Sequence, residues 1–351
     1  STRRQRQMCI RDSPGAFGSS FRLGEWITGP VTPLFEDWAL TRLEGAMHGW
    51  HFETIGQPAP LPHHVVINGW YFDSLAWLPI SPRALLRWGP RLIHRLFTRP
   101  RLVAPVIPPT VHLGIHLLEQ QWRDEIRPAY RQAVRAAEAS VEHLEPAALL
   151  ELVNDLLVQA GRYFASLTAV AGGAYKAEIQ LGTFYQAHIA PHVDESYLAL
   201  LIGLDEPSAP PPHAVESLDW SYPTVGEQPG RAGSEPPRTG GTLRQRREAA
   251  ETAAREVLGS SGRRRRAFDR RLALAQHLGP VRETQAREFT LPWPVLRRAL
   301  ARLGAAACSA GAIGNADDVF YLRHQELAQS VGGRATSSLA SIVAERRAAV
   351  E

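Results

Sequence analysis

His112 and His116 stand four residues apart with Glu119 one turn further on, so on a helix the three would share a face, as metal ligands do. The glutamate does not fall between the histidines as it does in a zinc-protease helix, and a polar helix face is the preferred reading. His188, His192 and Asp194 repeat the theme, but Pro191 interrupts the helix that would align them. No metal ligand set is therefore expected. Arg263, Arg264, Arg265 and Arg266 could grip phosphates. No aromatic residues interleave with them, so a solvated helix start after Gly262 is favoured over a nucleic-acid partner. No Gly-x-Ser-x-Gly nucleophile elbow is present. Lys176 is the only lysine, so 38 of the 39 basic residues are arginine. Phosphate loops and ATP-grasp sites hold nucleotide phosphates with lysine. Lys176 lies in Gly172-Gly173-Ala174-Tyr175-Lys176-Ala177-Glu178, which matches no such loop. The chain alone is not expected to bind ATP or to carry a cofactor.

These residues need a frame, and the composition supplies one. The chain has 351 residues, 44% of them apolar and 21% charged, with 27 prolines, enough to build a substantial core with loops. No run of eighteen apolar residues appears, and the N-terminus has no apolar signal region, so a cytoplasmic protein without a membrane partner is expected. Met8 to Ser13 resembles a translated transposon sequencing adaptor, and residues 1–13 are set apart from the fold. Arg3, Arg4, Arg6 and Arg11 against Asp12 supply three of the four net positive charges, so the basic balance does not argue for nucleic acid. With Cys9 in that segment, Cys308 stands alone, and neither a disulfide nor a cysteine metal cluster is available.

The pattern along the chain predicts a mainly α, irregular multi-helix domain with a few short strands and a large cavity between helices. A helix starts near Pro33 and runs through Trp38, Leu40 and Met47; His64-Val65-Val66-Ile67 reads as a short strand. Residues 82–98 form a basic amphipathic helix through Leu85, Leu86, Trp88, Leu92, Ile93 and Leu96. Its arginines could touch a membrane surface, although a solvated face is preferred. Helix dominates from Val111 to Leu201, with Leu149, Val153, Leu156, Ala160, Tyr163 and Leu167 on one face and Pro146 in the first turn. Residues 205–240, rich in Pro, Gly and Ser, predict a loop dividing two parts of one domain, 14–204 and 241–351. Further helices are expected at about 241–258, 262–278 and 293–310, the last ended by Gly311 and Gly314. An extended run follows at 319–322, and a last helix near 337–350.

Two segments carry a resemblance. Arg282-Glu283-Thr284-Gln285-Ala286-Arg287-Glu288 precedes the helix from Trp293, which leads to Asp317-Asp318-Val319-Phe320-Tyr321-Leu322 and then Glu326-Leu327. Near the N-terminus stands Gly24-Glu25 followed by Gly29-Pro30-Val31-Thr32-Pro33-Leu34. With these motifs the chain, over roughly residues 22–350, resembles the middle, acceptor-binding domain of the rifampicin phosphotransferases and their phosphoenolpyruvate synthase-like relatives. In that family an ATP-grasp domain, with ATP and Mg, phosphorylates a histidine on a swivelling domain. That domain carries the phosphoryl group to a small-molecule acceptor.

The resemblance implies that Arg282 stabilises phosphoryl charge and that Thr32, Glu283 and Arg287 lie on the acceptor side. It also implies that the ATP-grasp and histidine domains are covalently linked partners missing from this chain. The family's lysine four residues after the arginine is Ala286 here, with Arg287 adjacent, which sets rifampicin apart as an acceptor. Gly332-Gly333-Arg334-Ala335-Thr336-Ser337-Ser338-Leu339-Ala340 is similar to the phosphohistidine motif, but Ser338 stands where the imidazole is required. The alternative class is a free-standing helical small-molecule-binding or regulatory module without catalysis.

Overall fold

The computed structural model describes residues 26–55, 64–73, 82–103, 112–204, 209–228, 240–259, 261–333 and 339–350. Residues 1–13 and, within the Gly332–Ala340 motif, residues 334–338 fall outside them. The described residues are mainly helical, as expected. A π-helical stretch, Phe35–Leu40, runs into α1 (Thr41–Ile55), and a hairpin pairs β1 (His64–Ile67) with β2 (Trp70–Asp73). Then come α2 (Pro82–Thr98), α3 (Pro100–Val103), α4 (Ile115–Gln121), α5 (Arg127–Ser140) and α6 (Pro146–His188). The C-terminal half holds α7 (Gly240–Leu258), α8 (Gly262–Phe289), α9 (Trp293–Ser309), α10 (His324–Val331) and α11 (Ala340–Val350).

The hairpin turns on Asn68 and Gly69, both with positive φ (51° and 77°), the conformation that two-residue turns between right-twisted strands require. The Gly69 carbonyl accepts from the Val31 amide at 2.6 Å, which ties the hairpin to the chain's entry segment.

α6 is the spine. Pro146 fits its first turn, after Glu145 in an extended conformation, and its 43 residues span roughly 65 Å. Leu149, Val153, Leu156, Ala160, Tyr163 and Leu167 are all buried, as their spacing predicts. This N-terminal half joins a core with Trp38, Trp122, Phe289, Trp293 and Leu300. The C-terminal half, Val170 to Tyr185, joins a second core with Phe268, Leu272 and Leu278 of α8. At Gly161 the α1 helix comes so close that an added Cβ would lie 2.5 Å from the Ala46 methyl carbon, so only glycine permits this crossing.

Three expectations need correction. α8 does not end at residue 278: it runs through Gly279-Pro280 to Phe289. A proline inside a helix costs roughly 3 kcal/mol, but Leu278 and Phe289 on either side are fully buried, and that packing holds the helix through it. Residues 319–321 are not extended, because Ala316–Tyr321 is a 3-10 helix begun by Asn315, whose side chain accepts from the Asp317 amide; only Leu322 is extended. The described part of the 205–240 loop is irregular but not peripheral, since Leu218, Asp219 and Trp220 are buried within the first core.

Candidate functional site

The continuation of α8 decides where the candidate residues sit. Arg282, Glu283 and Arg287 are interior residues of a 28-residue helix, not the opening of one. At 3.6 residues per turn, Arg282, Gln285 and Glu288 follow one another along the same side of α8. They end in three different electrostatic situations.

Arg282 is one-fifth exposed and donates through one terminal nitrogen to Glu178 of α6 at 2.8 Å and through Nε to Glu283 at 3.2 Å. Its charge is therefore matched by two carboxylates across the α6–α8 seam. Glu283 takes part in that arrangement, while Arg287 is exposed.

Glu288 is a hub. Arg127 of α5 donates through Nε to Oε2 at 2.9 Å, Arg131 also pairs with it, and the Tyr163 hydroxyl lies 3.5 Å away. Burial opposes ionisation of this carboxyl, but the hydrogen bonds and charges of Arg127 and Arg131 outweigh it and hold its pKa below the usual range. Arg127 lies 5.1 Å from the Trp122 ring centre, a cation–π arrangement. Behind the hub the aromatic rings are continuous. Tyr130 stacks on Tyr163 at 4.5 Å, and Phe289 meets Phe164 at 5.2 Å, Trp293 at 5.3 Å and Trp26 at 5.5 Å. Tyr130 donates to the Phe289 carbonyl at 2.6 Å, and burial pushes both tyrosine hydroxyls far above their ordinary pKa.

Gln285 lies between these charged neighbours with no exposed surface, and neither its amide oxygen nor its nitrogen has a hydrogen-bond partner. Leaving one buried polar group unsatisfied costs about 1–3 kcal/mol. A polar ligand atom or a water that reached this amide would therefore be stabilised there.

Thr32 is buried elsewhere, in a built polar cluster. Its amide and hydroxyl both donate to Asp219, at 2.6 Å and 3.0 Å, and Ser221 donates to the other carboxylate oxygen from its amide and hydroxyl, each at 2.8 Å. Burial raises the Asp219 pKa although these four donors oppose it. Next to it the Trp293 indole donates to the Leu218 carbonyl at 2.8 Å, and the Leu218 amide donates to the Trp26 carbonyl at 2.8 Å. The entry segment and the start of α9 thus meet through residues 217–222. Arg282 instead links α8 to α6.

Residues just beyond Leu34 and Leu322 of the resemblance meet: the His324 amide donates to Asp37 at 2.9 Å, and its ring lies 4.2 Å from that of Trp38. Asp318 and Glu326, both from the C-terminal motif, serve as anchors: Arg347 holds the first, and Arg346 grips the second at 2.6 Å and 2.9 Å.

The histidine clusters do not assemble. Glu119 is buried between Arg123 and His277, the latter at 2.7 Å, while His112 and His116 are exposed. His188 packs against Phe184 at 4.7 Å. Among the described residues no group of three or more His, Cys, Asp or Glu side chains is placed to hold a metal. Arg263 to Arg266 are exposed at the start of α8, as expected of a solvated helix start.

Beside Arg282, Leu278, Gln285 and Phe289 are fully buried along the seam. A pocket of about 310 Å³ lies elsewhere, lined by Phe52 of α1 and Arg91, His94 and Arg95 of α2. Sequence reasoning missed Gln285, Glu288 with its two arginines, and Asp219. Glu288 and Gln285 fell inside a segment it had singled out, but the partners from α5 lie 157 and 161 residues away and leave no local signal. No family model, curated protein or solved structure matches the chain.

Proposed function

We propose that this chain is the acceptor-binding domain of a phosphohistidine-dependent phosphotransferase, working with an ATP-grasp unit that charges a histidine carrier. The observation that carries the reading is Gln285: a buried, unpartnered amide on the same side of α8 as Arg282 and Glu288, inside the segment that resembles the family. In this reading the Gln285 amide meets a polar group of the acceptor. Arg282 exchanges part of its pairing with Glu178 for the oxygens of the arriving phosphoryl group, which guanidinium can grip with two parallel N–H donors. Glu288, fixed by two arginines, keeps the local charge balanced. Thr32, held by Asp219, fixes the entry of the chain next to α9.

The test is phosphoryl transfer by the full-length gene product with both partner domains present. Arg282→Ala should lower the transfer rate by roughly tenfold to a thousandfold, with little change in the melting temperature. Gln285→Leu should weaken acceptor binding while leaving stability equal or higher, because it removes unpaired buried groups. Turnover undiminished in Arg282→Ala overturns its role. The same Gln285 observation also suits a free-standing small-molecule-binding module; acceptor modification that requires a phosphohistidine carrier separates the two.

A further inference from the structure

Among the described residues no helix is long and apolar enough to span a membrane, and α2 is instead an amphipathic helix whose basic side is turned toward the body. At about 100° per residue, Arg91, His94 and Arg95 fall within roughly one quadrant. That quadrant meets Phe52 of α1, and the four side chains line a pocket of about 310 Å³. Sites for small molecules begin at roughly this size.

The lining has one sign of charge. No acidic side chain is among the described residues that border the pocket; Glu53 follows Phe52 in the chain but is not one of them. From residue 74 to residue 118 the sequence contains no aspartate or glutamate. Arg91 is engaged within the chain, 5.5 Å from the centre of the Phe52 ring, and keeps that contact. The charge left for a ligand belongs to Arg95, with His94 beside it. Among the described residues no hydrogen bond or ion pair joins either side chain to another residue. Elsewhere in the molecule partly buried arginines meet carboxylates, as Arg127, Arg282 and Arg346 do. Arg95 is also partly buried, and a guanidinium drawn out of water without a carboxylate is stabilised by an anion that reaches it.

The walls narrow the chemistry of that anion. The Arg95 guanidinium grips an oxyanion with two parallel N–H donors, and the His94 ring adds another. Phe52 is 39% exposed, so part of its ring is open to a ligand. The aliphatic stems of Arg91 and Arg95 extend this apolar wall, and an aromatic ring suits it through offset or edge-on contact. A bare inorganic ion would leave the ring unused, and a neutral aromatic would leave Arg95 unpaired. A phosphate monoester carries a charge of about −1.5 to −2 near pH 7, and so answers the field of Arg91 as well as Arg95; a carboxylate carries only a single charge.

We propose that the pocket between α1 and α2 binds a small aromatic molecule bearing a phosphate group, its ring against Phe52 and its phosphate oxygens on Arg95 and His94. The proposal does not depend on the phosphotransferase reading, because none of these residues belongs to α6 or α8.

Titration calorimetry of the whole chain with phenyl phosphate, inorganic phosphate and phenol tests it. Phenyl phosphate should saturate the protein with a Kd below about 1 mM, at least about tenfold tighter than either of the other two. Arg95→Gln should weaken phenyl phosphate at least about tenfold by removing the paired donors, and Phe52→Leu should weaken it a fewfold by removing the ring contact. Both variants should keep the melting temperature of the wild type. Arg263→Gln, at the exposed start of α8, should bind as the wild type does. Four results would overturn the proposal: no saturable binding of phenyl phosphate, undiminished binding by Arg95→Gln, inorganic phosphate binding as tightly as phenyl phosphate, or an equal loss in Arg263→Gln. The last would mean that the ligand senses only the overall charge of the chain.

Discussion

The α6–α8 seam and the α2 edge are made of the same material, arginines and large apolar side chains at helical spacing, and they fold to opposite arrangements. In the seam the arginines find carboxylates: Arg127 and Arg131 share Glu288, and Arg282 has Glu178 and Glu283. Once paired, they can sit beside a dense aromatic interior. Along α2 no carboxylate occurs within the surrounding 45 residues. Its basic side approaches the body through the face of Phe52, and the apolar side is left outward. The difference teaches that an arginine's surroundings are set by tertiary contact: in the seam the matching carboxylates come from other helices, 104 residues from Arg282 and 161 residues from Arg127.

The largest expected effect separates the two regions with one residue type. Phe289 has no exposed surface and meets four other rings at the end of α8; Phe97 is 84% exposed. Phe289→Ala should cost about 3–5 kcal/mol in urea unfolding, and Phe97→Ala should stay within about 0.5 kcal/mol. A loss above about 2 kcal/mol at Phe97 would mean that its face is packed, and the contrast would fail.

Glu288→Gln should come next, because it strips two arginines of their common carboxylate. The expected loss is about 1.5–3 kcal/mol near neutral pH, the range for hydrogen bonds to charged groups, with part of it screened because the arginines are partly exposed. The pH dependence has a definite sign. The folded-state pKa of Glu288 is depressed, so its contribution is fully present above the ordinary glutamate range and is lost as pH falls through the depressed value. Wild type and Glu288→Gln should converge in stability on acidification. Asp219, whose folded pKa burial raises, works the other way and favours the folded state as it takes up its proton. A gap between wild type and Glu288→Gln that does not narrow toward acid would remove the hub from the account.

Local periodicity made much of the framework legible. Pro146 and the four- and three-residue steps from Leu149 to Leu167 located the buried face of α6 because those signals lie within one helix. The hairpin was half legible: His64–Ile67 stood out, whereas Trp70–Asp73 did not, although Asn68-Gly69 is the turn dipeptide that announces a partner strand. Pro280 misled, since its local penalty is visible in sequence and the tertiary packing that outweighs it is not. The candidate site suffered in the same way. Arg282 was identifiable by its segment, but its partner Glu178 lies 104 residues away. On α2 the sequence revealed an amphipathic helix; which side faces the body depends on Phe52, on another helix.

The smallest effect sharpens the comparison most, because it measures how firmly α2 is held. Arg91 stands 5.5 Å from the Phe52 ring centre, at a partly open site. A cation–π contact at such a site contributes about 0.5–1 kcal/mol. Arg91→Ala should therefore barely move the global unfolding midpoint. It should instead loosen the helix locally, because an element with few contacts opens without the rest of the body. Hydrogen exchange separates the two responses: amides of 82–98 should exchange a fewfold faster in Arg91→Ala, while amides of α8 around Phe289 keep their protection. Arg91→Met, which retains an apolar stem over the ring but not the charge, should fall between alanine and wild type. Should Arg91→Ala lower global stability by more than about 1.5 kcal/mol, α2 would be cooperative with the core, and the edge would have to be regarded as a second seam.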